Sequence, residues 1–300
     1  MSRIGILGAG AVGQLIAHQL ASAGTLPFLL DRQLTAITEP YSLTDLNGNR
    51  NTLNFAKSND KQALLGELDL LIITVKAYQV IDAVTGALPG LSPHCHLLLL
   101  HNGLGPHEEV AALLDGRGLT LGTTSQGALR LGKHDLKQTG SGLTQLGHCT
   151  GPAMAPGLKT LLLSAIPGSE WVEAILPALW QKLAVNACIN PLTAIHGICN
   201  GELADNAYQA TIAGVLRELV EVARTQGIEL QEESLSARVY EVIRLTAANR
   251  SSMRQDVDHK RKTEIDAING YLVSLGHRHS IATPTNRALV DAIHTLERRF

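Results

Sequence analysis

Lys182, Asn186 and Asn190 follow one another at steps of four in WQKLAVNACINPLTAIHGICNGEL, residues 180–203. Steps of four keep side chains on one face of an α-helix, drifting about 40° each time. Their neighbours Leu183, Ala184, Val185, Ala187, Cys188, Ile189 and Leu192 are those of a buried helix. An ammonium and two amides in such company need polar partners. The pattern admits two readings. One is a solvated stripe on a half-exposed helix; the other is the lining of a site.

A second group stands at the N-terminus, where GILGAGAVG supplies Gly8, Gly10 and Gly13 in GxGxxG spacing after a strand and at the start of a helix. In that setting the first glycine permits a tight turn, the second lets backbone approach a pyrophosphate, and the third allows close helix–sheet packing. The helix N-terminus then faces the phosphates, so a dinucleotide is expected. The next strand ends in LLDR. Asp31 suits an adenosine ribose 2′-hydroxyl and so NAD, whereas the planar fork of Arg32 suits a 2′-phosphate and so NADP. Lys76 and Gln79 in TVKAYQV, and Asn102 in HNGLG, each follow a later strand at the edge where a cofactor would lie, although Asn-Gly is also a strong turn former. His94 and His96 in HCH have no nearby acid, read as structural, and give no reason to expect a metal.

The elements that must hold these groups alternate in the first half. RIGIL (3–7), LPFLL (26–30), LDLLIITV (68–75), HLLLL (96–100) and LTLGTT (119–124) read as strands, several of them apolar throughout, as in parallel sheets covered on both faces. Helical runs such as VGQLIAHQLASAG and HEEVAALL lie between them, the pattern of a doubly wound α/β domain. Residues 129–146 are polar and glycine-rich and read as hairpins at the sheet edge, and SAIPGSE (164–170) as a hinge. Beyond Trp171 the runs at 171–190, 206–227, 232–250, 262–276 and in NRALVDAIHTLERR are helical. Gly227 and Gly276 read as terminators, and Pro284 as a start. The expected division is 1–168, a Rossmann-type domain, and 169–300, all-α.

Composition sets bounds. With 300 residues, 45% of them hydrophobic, and a formal charge of −2, the chain supports two domains and gives no electrostatic case for nucleic acid or an anionic membrane. Four cysteines lie apart in apolar segments, as free thiols in a reducing compartment do. The N-terminus lacks a signal-peptide pattern, and no apolar stretch reaches the roughly 18 residues of a span. A cytoplasmic protein is expected.

GxGxxG, TVKAYQV, LLLLHNGLG, WQKLAVNACINPLTAIHGICNGEL and NRSSMRQD…KTEIDAINGYL occur in this order. The chain thereby resembles the ketopantoate reductases (2-dehydropantoate 2-reductases) over nearly its whole length. The resemblance implies an N-terminal Rossmann domain, a C-terminal helical domain similar to that of 6-phosphogluconate dehydrogenase, and a site in the cleft between them. It implies NADPH-dependent reduction of 2-dehydropantoate to (R)-pantoate on the way to pantothenate and coenzyme A, by a monomer or homodimer whose partner is a small molecule. On the matching positions, Lys182 is the catalytic lysine, and Asn102, Asn186, Asn190, Asn200 and Ser252 contact substrate. Gly8, Ala9, Gly10, Ala11, Val12, Gly13, Arg32, Lys76, Gln79, Asn102 and Glu264 contact the cofactor, Glu264 near the substrate as well. Asp31 beside Arg32 departs from the family pattern.

The chemistry agrees with these types. Hydride addition to a 2-keto carbon leaves charge on oxygen, which a partly buried ammonium can stabilise and protonate. Asn amides both donate and accept, as a ligand with ketone, carboxylate and hydroxyl requires. Ser252 and Glu264 would lie about 18 Å apart in one straight helix, so the helix is expected to break between them, with 255–263 as a loop. Two other readings stand beside this one. They are a nicotinamide-dependent dehydrogenase for another 2-keto or 3-hydroxy acid, and a dinucleotide-sensing regulator without turnover.

Overall fold

The computed structural model describes residues 2–58 and 60–300. Its chain separates into two units, Met1–His101 with Pro106–Ile175, and Asn102–Gly105 with Leu176–Phe300.

The first unit runs β1 (Ile4–Leu7), α1 (Ala11–Ser22), β2 (Phe28–Leu30), β3 (Tyr41–Thr44), β4 (Arg50–Leu53), α2 (Lys61–Gly66), β5 (Leu70–Ile73), α3 (Val80–Ala87), β6 (His96–Leu99), α4 (Pro106–Leu113), β7 (Leu119–Thr124), β8 (Gly127–Arg130), β9 (Asp135–Gly140), β10 (Thr144–Thr150), α5 (Pro156–Ala165) and β11 (Ser169–Trp171). Seven strands form one sheet in the order β11-β10-β7-β6-β5-β1-β2. All neighbours are parallel except β10 against β7. The central strands β1, β5 and β6 are buried along their length, which is why their apolar runs show no alternation. After β1 the chain builds outward to β2, then returns to add β5, β6 and β7 on the other side. The switch point between β1 and β5 is where open α/β sheets bind ligands, outside the carboxyl ends of the strands.

A second sheet, β4-β3-β9-β8, was not anticipated as such. The hairpin reading of 129–146 holds for β8 and β9, but β9 pairs in parallel with β3, which pairs with β4, and only β10 joins the main sheet. Residues 164–170 are no hinge. They close α5 and open β11, which pairs in parallel with β10.

The second unit is helical: α6 (Ile175–His196), α7 (Asn206–Thr225), α8 (Glu232–Leu245), α9 (Ser252–Asp258), α10 (Asn269–Arg278) and α11 (Pro284–Glu297), with 3-10 turns at Asn200–Ala204 and Ile265–Ala267. Gly227, at φ +70°, follows α7, and Pro284 opens α11, as read. Gly276 is instead buried inside α10, where a Cβ would come within 2.7 Å of Thr283 Cγ2. Close packing, and not termination, requires that glycine. The helix expected to stop at Asn190 passes through Pro191 to His196. Proline lacks the N–H that would bond the carbonyl four residues back. That carbonyl, of Ala187, accepts instead from Asn269 Nδ2 at 3.1 Å. Asn269 also donates to Asn286 Oδ1 (2.9 Å), and the Asn286 amide groups donate to the buried Glu218 carboxylate. A side chain from a distant helix thus completes the backbone pairing that buried groups need.

Candidate functional site

In the first unit the turn between β1 and α1 is shaped by its glycines. Gly8 has φ +117°, its N–H donates to Leu30 O (3.2 Å), and its carbonyl accepts from Thr74 Oγ1 (2.9 Å) at the end of β5. A Cβ on Gly13 would fall 1.9 Å from that carbonyl, so no side chain fits. A Cβ on Gly10 would meet nothing within 4 Å. Gly10 is the N-cap of α1 and provides no side-chain cap for the first amides, which a pyrophosphate can satisfy. Ala9, Ala11 and Val12 line the same turn, half-buried. One tight glycine and one open glycine fit a dinucleotide.

The Asp31 carboxylate accepts from the Gln33 and Thr35 amides, both at 2.9 Å, and so closes its own turn. Arg32 is exposed beside it. Lys76 and Gln79 flank a short 3-10 turn after β5, both half-buried, with Gln79 N donating to Lys76 O (2.8 Å). His96 Nε2 is 2.8 Å from Thr120 Oγ1 inside the sheet. Burial lowers its pKa to about 4, the behaviour of a core histidine.

In the second unit the polar stripe of α6 is not solvated. Lys182 and Asn186 are half-buried and Asn190 is buried. Burial lowers the Lys182 pKa to about 8, while the Glu264 carboxylate pulls it back up. An amine in that range is charged at neutral pH yet gives up its proton readily. Glu264 is itself buried and opens the 3-10 turn Ile265–Ala267. Asn102 Nδ2 donates to Glu264 Oε2 at 3.5 Å, and Leu104 N donates to Ala267 O at 2.8 Å. The Asn-Gly turn is therefore real, and it also brings Asn102 to Glu264. Gly103, at φ +80°, must be glycine because a Cβ would fall 2.3 Å from the Ala267 carbonyl.

The helix does break between Ser252 and Glu264, but later than expected. α9 continues to Asp258, and the turn comes at His259 and Lys260, the latter at φ +52°. Ser252 lies exposed in the first turn of α9. Ser251, which sequence reasoning passed over, is the buried cap. Its hydroxyl accepts from Arg254 N (3.1 Å) and from Thr193 Oγ1 of α6 (2.7 Å). Asn200 is buried and donates to Thr246 Oγ1 at 2.9 Å, a bond to α8 rather than to the α6 stripe. Thr74 and Gln14 were also missed. Gln14 is buried, and its Nε2 bonds Ala9 O at 2.8 Å, supporting the glycine turn from behind. A polar residue one position after GxGxxG was the available signal.

A glycine turn at the switch point of a doubly wound sheet, followed by a helical unit with a lysine of lowered basicity, is the equipment of a nucleotide-dependent oxidoreductase. The chain belongs to the ketopantoate reductase PanE/ApbA family, whose N-terminal model matches residues 4–151 and whose C-terminal model matches 174–297. It is 41% identical to a 2-dehydropantoate 2-reductase of Vibrio cholerae, covering 98% of each chain. Among solved structures it is similar to a ketopantoate reductase family protein of Ralstonia eutropha (TM-score 0.88, 25% identity). It is also similar to a D-mandelate dehydrogenase in ternary complex with NADH and anilino(oxo)acetate (TM-score 0.89, 25% identity). Both matches cover 99% of each chain.

Proposed function

We propose that the protein reduces 2-dehydropantoate to (R)-pantoate with NADPH, a step toward pantothenate and coenzyme A. The observation that carries this reading is Lys182, half-buried and held near pKa 8 with Glu264 acting on it, on the same helix face as Asn186 and Asn190. When bound, the nucleotide supplies the hydride that adds to C2 of the keto acid. Lys182 stabilises the charge growing on the C2 oxygen and donates the proton that completes the hydroxyl. It then regains a proton from solvent, which its pKa allows at neutral pH. Asn186, Asn190 and Asn102 supply amides for the carboxylate and hydroxyl of the substrate.

Gly8 to Gly13 would hold the pyrophosphate, with Lys76 and Gln79 beside it. Arg32 would hold the adenosine 2′-phosphate, and the engagement of Asp31 in its own turn supports that choice. The nucleotide groups belong to the first unit and the proton donor to the second.

A second reading, reduction of an aromatic 2-keto acid with NADH, is favoured by the likeness to D-mandelate dehydrogenase. Rates of cofactor oxidation decide between them, with ketopantoate and benzoylformate each tried against NADPH and NADH. Preference for ketopantoate and NADPH is expected; preference for benzoylformate with NADH would transfer the assignment to the second reading.

A further inference from the structure

Glu264 sits in a short segment that α11 grips on both sides. The amide just before it, Thr263 N–H, donates to Glu297 Oε1 at 2.7 Å. Thr263 is itself buried, and its hydroxyl accepts from Ile265 N at 3.2 Å. Two residues after Glu264, Asp266 Oδ1 accepts from His294 Nε2 at 2.8 Å. Glu297 and His294 stand three apart, on one face of the last turns of α11. A carboxylate at that end of a helix meets the negative pole of the helix dipole, so the chemistry of α11 alone gives no reason for Glu297. Its bond to another segment does.

We propose that the end of α11 is the positioning element for Glu264, with Glu297 fixing the Thr263 amide and His294 fixing Asp266. The inference rests on reading Lys182 as the proton donor, with the Glu264 charge acting on it. The attraction between opposite charges falls with distance and with access of water. A Glu264 released toward solvent supports the Lys182 ammonium less, and the amine then loses its proton at lower pH. Glu297 and His294 touch neither amine nor substrate in this scheme and act through Glu264.

The test reads Lys182 directly. Full-length protein carrying 13C-labelled lysine is titrated by NMR, the Lys182 signal being assigned by its loss in Lys182→Met. The unmodified protein should show a midpoint near pH 8. Glu297→Ala should lower it by about half a pH unit or more, part of the one to three units an opposite charge within 4–6 Å exerts. Glu297→Gln keeps an oxygen acceptor for the Thr263 amide and should restore the midpoint. His294→Ala breaks the other arm at a partly exposed site, so it serves if Glu297→Ala does not fold, and should shift the midpoint the same way. Turnover of ketopantoate by Glu297→Ala should fall about twofold at pH 8, as the protonated fraction of Lys182 does for a half-unit shift, against about 10²-fold or more for removal of the proton donor. An unmoved midpoint in both alanine variants overturns the proposal, as does Glu297→Gln shifted as far as Glu297→Ala. Midpoints that move as expected in a protein that reduces no keto acid would leave the positioning role intact and remove the proposed function.

Discussion

Replacing Lys182 with Met keeps a long unbranched side chain and deletes the charge. The folded chain holds this amine at a pKa of about 8 in place of 10.5, chiefly through burial, with the attraction of Glu264 already counted. At about 1.4 kcal/mol per pH unit, the charged form costs the folded state about 3 kcal/mol at neutral pH; solvent reaching a half-buried amine reduces this to about 2. The unfolded chain binds the proton more tightly, so the cost is fully present below pH 8 and disappears as pH rises to 10.5. Lys182→Met should therefore be more stable than the parent at pH 7 by about 2 kcal/mol, or about 4–8 °C in melting temperature. Its advantage should shrink to nothing by about pH 10.5. Turnover should drop about 10²-fold or more, the scale for loss of a general acid. Urea melts from pH 7 to 10, run beside steady-state kinetics, make the comparison. A variant less stable than the parent at pH 7, or an advantage independent of pH, would refute the claim that Lys182 is held against its own solvation.

Gly13→Ala should fail to give folded protein because its Cβ collides with the Gly8 carbonyl, whereas Gly10→Ala should melt normally and lose about tenfold or more in NADPH affinity, its Cβ occupying open space meant for phosphate; thermal melts and fluorescence titration separate the two, and a Gly10→Ala protein with full affinity would contradict the cradle. His18, His96 and His107 are buried with pKa values lowered to about 4. Each binds its proton more tightly when unfolded, so their contribution to stability should be level from about pH 6.5 up to pH 8, where Lys182 begins to act, and fall by up to about 1.4 kcal/mol per histidine per pH unit down to pH 4. Urea melts across that range that stay level would rule this out. Asn269→Ala should cost about 2–4 kcal/mol by leaving the Ala187 carbonyl and the Asn286 Oδ1 acceptor without their donor, and a melt within about half a kcal/mol of the parent would show that water replaces it.

What could be read from sequence was what neighbours along the chain decide. The Gly8–Gly13 turn is a steric matter settled within six residues. The buried strands declare themselves by unbroken apolar runs, and the α6 stripe by its period. What could not be read depends on partners far away. β3 and β4 are short, and β4 is largely exposed, so they carry little apolar signal. They exist as a sheet because β3 pairs with β9, nearly a hundred residues on. Pro191 looked like a stop because its lost hydrogen bond is made good only by Asn269. Ser251 and Ser252 are indistinguishable by type, and only the Thr193 hydroxyl on α6 selects the first for burial.

Asp31 is a different case. Its contest with Arg32 is posed by the sequence as a question about the ligand, yet Asp31 also has a local role. An aspartate can bond the amides just ahead of it, and here it takes those of Gln33 and Thr35. An acid at the end of the second strand can thus be there for its own turn, and its presence alone does not select NAD.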